Sequence, residues 1–331
     1  MKIKISAIGK YLPGKPIHTE ELIRNEPSWT RGCSSGVETR HFAIKGKDFV
    51  STLGAQALQI ALENGQYKPN DLDLLIFAGA SFDYPVPHTS VLIKEKICNE
   101  EESFNCFDID ATCLSFMQAL EVAEMYIQCG KFRRIAIVNA EISSSCLDPD
   151  DPHTFLLFGD AATAVILEPA EAGEFSFEII YADFKNYPSG AHWAKVPIGG
   201  QANRGNLSGS NDSGYFFAMD GVRLIRLTLS HLDDTVHGIR VKTGIDIPDF
   251  DVVITHQTSK FGNDYFKEKY KPKENSLYNT LACYGNCISA SIPLGLESWH
   301  SDHVPGDYHV LLLGSAAGVT LSAMVLKFSM K

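Results

Sequence analysis

The first nine residues, Met1-Lys2-Ile3-Lys4-Ile5-Ser6-Ala7-Ile8-Gly9, alternate polar and apolar and predict a half-buried strand. Further along, the apolar positions come in continuous runs. Residues 71–81 (Asp-Leu-Asp-Leu-Leu-Ile-Phe-Ala-Gly-Ala-Ser) read as a polar turn followed by a buried strand, and residues 249–259 (Asp-Phe-Asp-Val-Val-Ile-Thr-His-Gln-Thr-Ser) read the same way. A stretch of helical periodicity precedes each, over 52–63 and 222–237. The pattern that follows also corresponds. After the first run come a strand at 106–109, a helix opening at Cys113 and stopping at Cys129-Gly130, and a strand at 134–139. After the second come a strand at 276–280, a turn containing Gly285-Asn286, a helix of small residues and a strand at 309–313. Buried strands alternating with helices predict mostly parallel sheets covered on both faces. The duplication predicts two similar α/β halves packed together, residues 1–170 and 171–331. Residues 199–214 are rich in Gly, Ser and Asn and predict a long loop.

A chain of 331 residues can bury a large core, and a formal charge of −11 removes the general attraction for phosphate that a nucleic-acid partner requires. No apolar run approaches the ~18 residues of a membrane span, and the start of the chain lacks a signal-peptide core. The expectation is therefore a cytoplasmic protein with neither nucleic acid nor membrane as partner. The eight cysteines (33, 98, 106, 113, 129, 146, 283, 287) fit reduced thiols there. Cys283 and Cys287 stand four apart without a nearby His, so no metal site is expected.

Cys113 lies where a strand pattern gives way to a helical one. A thiol at the first turn of a helix feels the positive end of the helix dipole, which favours the nucleophilic thiolate. Amphipathic positions at Leu114, Met117, Leu120, Met125 and Ile127 carry the helix onward, leaving the thiol at its mouth. His256 follows four strand residues and so also sits at a carboxyl strand end, where parallel sheets place ligands. Asn286 lies in a turn before a helix, where Asn serves equally as a turn residue or an N-cap. If the halves are related by pseudo-symmetry, all three converge on one site at the junction. Residues 313–318, Leu-Gly-Ser-Ala-Ala-Gly, are small enough either to aim a backbone N–H at a substrate oxygen, forming an oxyanion hole with the Cys113 N–H, or simply to let two elements pack closely.

These residues, with Leu147-Asp148-Pro149, Phe158-Gly159-Asp160-Ala161, Met219-Asp220-Gly221, His256-Gln257 and Ser289-Ala290-Ser291-Ile292-Pro293, make the chain resemble the β-ketoacyl-[acyl-carrier-protein] synthase III group of condensing enzymes over essentially its whole length. The resemblance implies the thiolase fold, an αβαβα layered pair of halves related by a pseudo-two-fold axis, and a homodimer paired through the first-half sheet. It implies a catalytic triad of Cys113, His256 and Asn286, with an oxyanion hole from the N–H groups of Cys113 and Gly318. The reaction implied is a decarboxylative Claisen condensation of an acyl-Cys113 intermediate with a malonyl thioester, an acyltransferase activity of fatty acid biosynthesis. Its substrates are acyl-CoA or acyl-carrier-protein thioesters, and it needs no cofactor.

The chain also departs from that group. Trp29 matches one side of an adenine clamp for CoA, but Pro152 stands where the partner Arg is expected, and Arg31 is a candidate to replace a second Arg missing after the Trp. Val86 replaces a larger gate residue and predicts a longer acyl tunnel. The glycine-rich ending is diluted to Ser315-Ala316-Ala317-Gly318. A specialised acyl primer follows, of the kind used in polyketide or other secondary metabolism. Acidic carrier proteins call for a basic entrance, for which Arg223, Arg226 and Lys260 are candidates. The alternative is a thioester acyltransferase or hydrolase that passes the acyl group to an oxygen or nitrogen nucleophile or to water. A non-catalytic role is disfavoured by the presence of all three triad residues.

Overall fold

The computed structural model describes residues 2–30, 35–98, 104–203 and 213–330. Arg31, Cys33 and residues 204–212 of the expected loop lie outside the described residues. Ten strands form the main sheet: β1 (Ile3–Tyr11), β2 (Leu74–Ala78), β3 (Asn105–Ile109), β4 (Ile135–Glu141), β5 (Ala161–Pro169), β6 (Ser176–Asn186), β7 (Val252–Thr255), β8 (Leu277–Tyr278), β9 (Tyr308–Ala316) and β10 (Thr320–Ser329). Their order is β8-β7-β9-β10-β6-β1-β5-β4-β2-β3. Read outward from the centre, each half repeats the other, with β6 to β10 taking the places of β1 to β5. Within the sheet the halves join where β1 pairs with β6, Ile3 opposite Phe177. The chain crosses from one half to the other between β5 and β6.

The sequence pattern predicts mostly parallel sheets, and the outer strands obey: β2 runs parallel to β3 and β4, and β7 to β8 and β9. The strands nearer the centre are antiparallel. In each half two long strands, β1 and β5 or β6 and β10, pair antiparallel to each other. β5 and β10 are buried along almost their whole length, so their apolar runs look like parallel strands, while β1 alternates buried and half-buried residues. The repeated Asp-x-Asp turns have one function. The second Asp of each, Asp73 and Asp251, accepts the N–H groups that open the neighbouring strand, from Arg133 and Arg134 in one half and His309 in the other.

Six helices repeat in the same way: α1 (Val50–Gly65), α2 (Thr89–Ile97), α3 (Ser115–Gln128), α4 (Gly221–Thr243), α5 (Lys260–Tyr270) and α6 (Ser291–Asp302). Helix α3 stops where the sequence says it should. Gly130 takes a left-handed φ of 72°, and Lys131 N–H reaches back to Tyr126 O at 3.0 Å. The period-two alternation of strand side chains then sorts the core into layers. Leu74 and Ile76 on β2, Ile135 and Ile137 on β4, Val252 and Ile254 on β7, and Val310 and Leu312 on β9 all face a central layer made by α3 and α6. The alternate residues Leu75, Phe77, Ala136 and Val138 face α1 and α2. Their counterparts Val253, Leu311 and Leu313 face α4 and α5. The result is the αβαβα layering of the thiolase fold. Among the described residues no helix is long and apolar enough to cross a membrane.

Helix α1 lies hard against β1 because Gly9 has no side chain. A Cβ there would sit 2.1 Å from the Ala57 carbonyl oxygen and 2.5 Å from the Ala61 nitrogen, both backbone atoms that move only with the helix. Gly9→Ala is expected to destabilise the fold by ~1–3 kcal/mol, read as a lower urea midpoint at unchanged m-value.

Candidate active site

Two turns at the heart of the molecule are copies of each other. Strand β3 leads through Asp110-Ala111-Thr112-Cys113-Leu114-Ser115 into α3, and Asn286-Cys287-Ile288-Ser289-Ala290-Ser291 leads into α6. Thr112 and Ile288, both β-branched, take left-handed φ values of 51° and 48°. The same two hydrogen bonds hold each turn. Asp110 Oδ1 accepts Thr112 N–H at 2.8 Å, and Asn286 Oδ1 accepts Ile288 N–H at 2.9 Å. Ser115 Oγ accepts Ala111 N–H at 2.9 Å, and Ser291 Oγ accepts Cys287 N–H at 3.0 Å. Each turn runs as a single 3₁₀ turn, Thr112–Leu114 or Ile288–Ala290, into its helix. The pseudo-two-fold therefore pairs Asp110 with Asn286 and Cys113 with Ser289. The two 3₁₀ turns pack against each other, and Thr112–Leu114 also packs against β9.

The backbone of Asn286 is held by the first half. Its N–H donates to Leu157 O at 2.8 Å, and its carbonyl accepts Gly159 N–H at 3.1 Å. Gly159 and Gly285 make this close pass possible, since a Cβ on Gly159 would lie 2.1 Å from Tyr284 O and one on Gly285 2.8 Å from Leu157 O. Asp160 anchors the same segment by accepting from Ala43 N–H, Ser143 Oγ–H and Ser144. Because Ile288 N–H takes Oδ1, the orientation of the Asn286 amide is fixed. Its NH₂ is thereby left as the donor end. Asp110, its counterpart, could accept but not donate.

His256 follows β7 directly, its N–H donating to Leu313 O at 2.8 Å. It is 4% exposed, and its Nδ1 is buried without a partner among the described residues. Burial pushes its pKa down to about 4, so the ring is neutral at physiological pH. Gly314 on β9 joins the parts. A Cβ there would lie 2.7 Å from Leu114 Cδ2 and 2.9 Å from His256 Cβ. Glycine is thus what lets the residue after Cys113 approach His256. The three expected residues do come from converging elements, as their strand-end and turn positions require.

The state of the thiol differs from the sequence expectation. Cys113 retains partial solvent exposure, but its sulfur is surrounded by protein, and burial together with the nearby Glu141 carboxylate pushes its pKa up to about 12. The backbone N–H groups of Ala317 and of Cys113 itself act in the opposite direction and are outweighed. The helix-terminus field alone favours thiolate; desolvation at this depth reverses the balance. The Ala317 N–H that reaches the sulfur is next to Gly318, the residue expected to serve the oxyanion hole. Gly318 takes a φ of 118°, and the following Val319 exchanges backbone hydrogen bonds with Tyr187.

The outer residues correct the sequence reading more strongly. Trp29 is 9% exposed and packs on Phe155 with ring centroids 5.4 Å apart, so it is a core residue and no open platform for adenine. Phe155 ends the short helix Pro152–Phe155, where the second half of that clamp was expected. Val86 is 83% exposed in the loop between β2 and α2, and within one chain it walls no tunnel. Arg223 pairs with Asp220 at 3.2 Å and lies over the Trp193 ring, and Lys260 pairs with Asp264, so much of the basic field is locally compensated. Arg226 has no carboxylate within ion-pair distance among the described residues. The sequence reading missed Glu141, which carries no local motif, and the pairing of Ser289 with Cys113, which laying residues 110–115 on 286–291 would have found; it singled out the segment of Gly314 and Ala317 without separating their parts.

Two family models match this chain in succession, that of 3-oxoacyl-[acyl-carrier-protein] synthase III over residues 107–187 and that of its C-terminal part over residues 241–328. A β-ketoacyl-[acyl-carrier-protein] synthase III from Natranaerobius thermophilus is 28% identical, over 98% of this chain and 99% of its own length. Among solved structures, the 3-oxoacyl-[acyl-carrier-protein] synthase III of Aquifex aeolicus shares the fold with a TM-score of 0.82 at 24% identity, covering 98% of this chain and 99% of its own. A 3-oxoacyl-(acyl-carrier protein) synthase from Burkholderia xenovorans gives 0.87 at 22% identity, covering 99% and 95%. Matched in both halves by one family's models and along its length by that family's members, the chain belongs to the 3-oxoacyl-[acyl-carrier-protein] synthase III family of the thiolase fold.

Proposed function

We propose that the chain catalyses a decarboxylative Claisen condensation through an acyl-Cys113 intermediate, with Cys113, His256 and Asn286 as its catalytic residues. The observation that carries this reading is the fixed Asn286 amide. A simple acyl transfer or hydrolysis needs a nucleophile, a base and an oxyanion hole, whereas enolate formation needs further donors aimed at a second carbonyl. Asn286 Nδ2 and the neutral imidazole of His256 provide such donors.

With the thiol protonated and the imidazole neutral at rest, a preformed thiolate–imidazolium pair is not the starting state. The Cys113 proton passes to His256 as the sulfur attacks the acyl thioester carbonyl, and the N–H groups of Cys113 and Ala317 hold the oxyanion. The departing thiolate takes the proton from His256. A malonyl thioester then places its carbonyl oxygen against His256 and Asn286. Loss of carbon dioxide leaves an enolate stabilised by those two donors. Its carbon attacks the acyl-Cys113 carbonyl, the C–S bond breaks, and a 3-oxoacyl thioester leaves with Cys113 reprotonated from solvent.

The same reading extends to the substrate. With Trp29 covered by Phe155 and Pro152 in place of a guanidinium, a carrier-bound acyl donor is favoured over acyl-CoA. Arg226 is the cation best placed to meet an acidic carrier, with Arg223 and Lys260 assisting when their exposed ion pairs open. Edge strand β3 and the exposed Phe82, Tyr84 and Val86 favour a homodimer in which this loop completes the acyl pocket. Val86 in that position selects a medium or long primer.

Acyl thioester should add one acyl mass to the wild-type chain and none to Cys113→Ala by intact-mass spectrometry. Asn286→Asp keeps the acceptor for Ile288 N–H but removes the donor. Carbon dioxide release from a malonyl thioester should fall by ~10²-fold or more while acylation survives; equal loss of both contradicts the assigned role. Iodoacetamide should alkylate Cys113 slowly at pH 7, with a rate still rising above pH 9, because the folded pKa lies above that of a free thiol; a plateau below pH 8 contradicts the protonated resting state. Across a panel of acyl thioesters, carrier-bound medium or long chains should acylate faster than acetyl-CoA, and the opposite order rules out the proposed primer.

A further inference from the structure

Glu141, the last residue of β4, is fully buried, and no lysine, arginine or histidine forms an ion pair with it among the described residues. Its carboxylate is met by four donors. Oε1 accepts Ala80 N–H at 2.9 Å and the Ser289 hydroxyl, and Oε2 accepts Ser81 N–H at 3.1 Å and the Ser81 hydroxyl at 2.6 Å. Two of these are backbone N–H groups, which cannot reverse their direction. Four donors occupy all the lone-pair positions of a carboxylate, so Glu141 has none left to take a proton from Cys113. It is therefore no general base, although it lies close enough to raise the thiol's pKa.

Its partners suggest a different task. Ser289 stands where the pseudo-two-fold places the counterpart of Cys113, three residues after Asn286 and inside the turn packed against Thr112–Leu114. Strand β4 grips Ser289 twice, by its hydroxyl through Glu141 and by its carbonyl through Asn139 Nδ2 at 3.4 Å. On the other side, Ala80 and Ser81 open the loop that leads to Val86. Gly79 leaves room for the contact, since a Cβ there would come within 3.2 Å of Glu141 Oε1. One carboxylate thus anchors both the turn bearing Asn286 and the root of the exposed loop.

We infer that Glu141 is a positioning residue for condensation: by holding Ser289 it fixes the turn that aims the Asn286 amide, and by holding Ala80 and Ser81 it ties that turn to the loop carrying Val86. The inference rests on the condensation reading above and adds to it a residue outside the triad. The titratable groups around this carboxylate are the thiols of Cys113, Cys146 and Cys287, all pushed upward first by burial and also by its charge, while burial also pushes the Glu141 carboxyl up against the pull of its four donors. Asp110 adds to the same field at Cys113, and Asp160 at the other two.

The test compares wild type with Ser289→Ala, Glu141→Ala, Glu141→Gln and the Glu141→Ala/Ser289→Ala double variant. The probes are octanoyl and malonyl thioesters of both CoA and an acyl carrier protein. Ser289→Ala removes one donor and leaves the carboxylate, so it remains informative even where the Glu141 variants fold poorly. Carbon dioxide release should fall about tenfold in Ser289→Ala and further in Glu141→Ala, with acylation of Cys113 in Ser289→Ala lowered less than about threefold. The double variant should be no worse than Glu141→Ala, because both substitutions break the same link. Iodoacetamide should react faster at pH 7 with Glu141→Gln than with wild type, and at an unchanged rate with Ser289→Ala. Variants that condense like wild type, losses that multiply in the double variant, or an alkylation rate unmoved by Glu141→Gln overturn the assignment. A wild-type chain that neither acylates nor releases carbon dioxide with any probe overturns the condensation reading itself.

Discussion

The hydrogen bond from Ile288 N–H to Asn286 Oδ1 is the contact on which the site depends. It holds a β-branched residue at a positive φ, starts the turn into α6, and settles which end of the Asn286 amide faces the pocket. Its twin, from Thr112 N–H to Asp110 Oδ1, does the same for the turn that carries Cys113. Both turns are strained on their own and persist because each is packed against the other at the junction of the halves.

Function arises where the duplication is broken. In the first half, the end of β4 carries Asn139 and Glu141, whose side chains reach across and fill the space beside Ser289. The register of β2 with β4 and of β7 with β9 puts Gly314 and Ala316 at those places in the second half. The small Gly314 admits His256 close to Leu114, the residue after Cys113. His256 itself takes the place of Ala78, and Asn286 that of Asp110. One copy of the motif is therefore packed shut with a satisfied carboxylate. The other copy carries a thiol, a neutral imidazole and an amide donor on converging elements.

Burial sets the chemistry of that copy as much as residue identity does. A thiol at a helix mouth and an imidazole in reach suggest an ion pair in sequence. At this depth desolvation drives both groups neutral, the thiol upward to about 12 and the imidazole downward to about 4. Neutral His256 is the form that can donate a hydrogen bond to a thioester carbonyl without a net buried charge, which suits enolate stabilisation better than it suits a resting thiolate.

Much of this was legible in the sequence because it is written in local pattern. The Asp-x-Asp turns, the continuous strands, the Gly130 stop and the placement of Cys113, His256 and Asn286 at strand ends and turns all follow from periodicity and turn chemistry, and the duplication supplies the pocket between halves. What the sequence could not give depends on distance through space. The antiparallel pairing of β5 and β10 was hidden because strands buried on both faces lose the alternation that marks a half-exposed antiparallel strand. Trp29 and Val86 exchanged their expected environments, one covered by Phe155 and the other left in solvent, since exposure is a property of neighbours remote in the chain. The protonation of Cys113, the approach of the Ala317 N–H to its sulfur and the grip of Glu141 on Ser289 were decided only when packing set how much water each group retains and which donors come within reach.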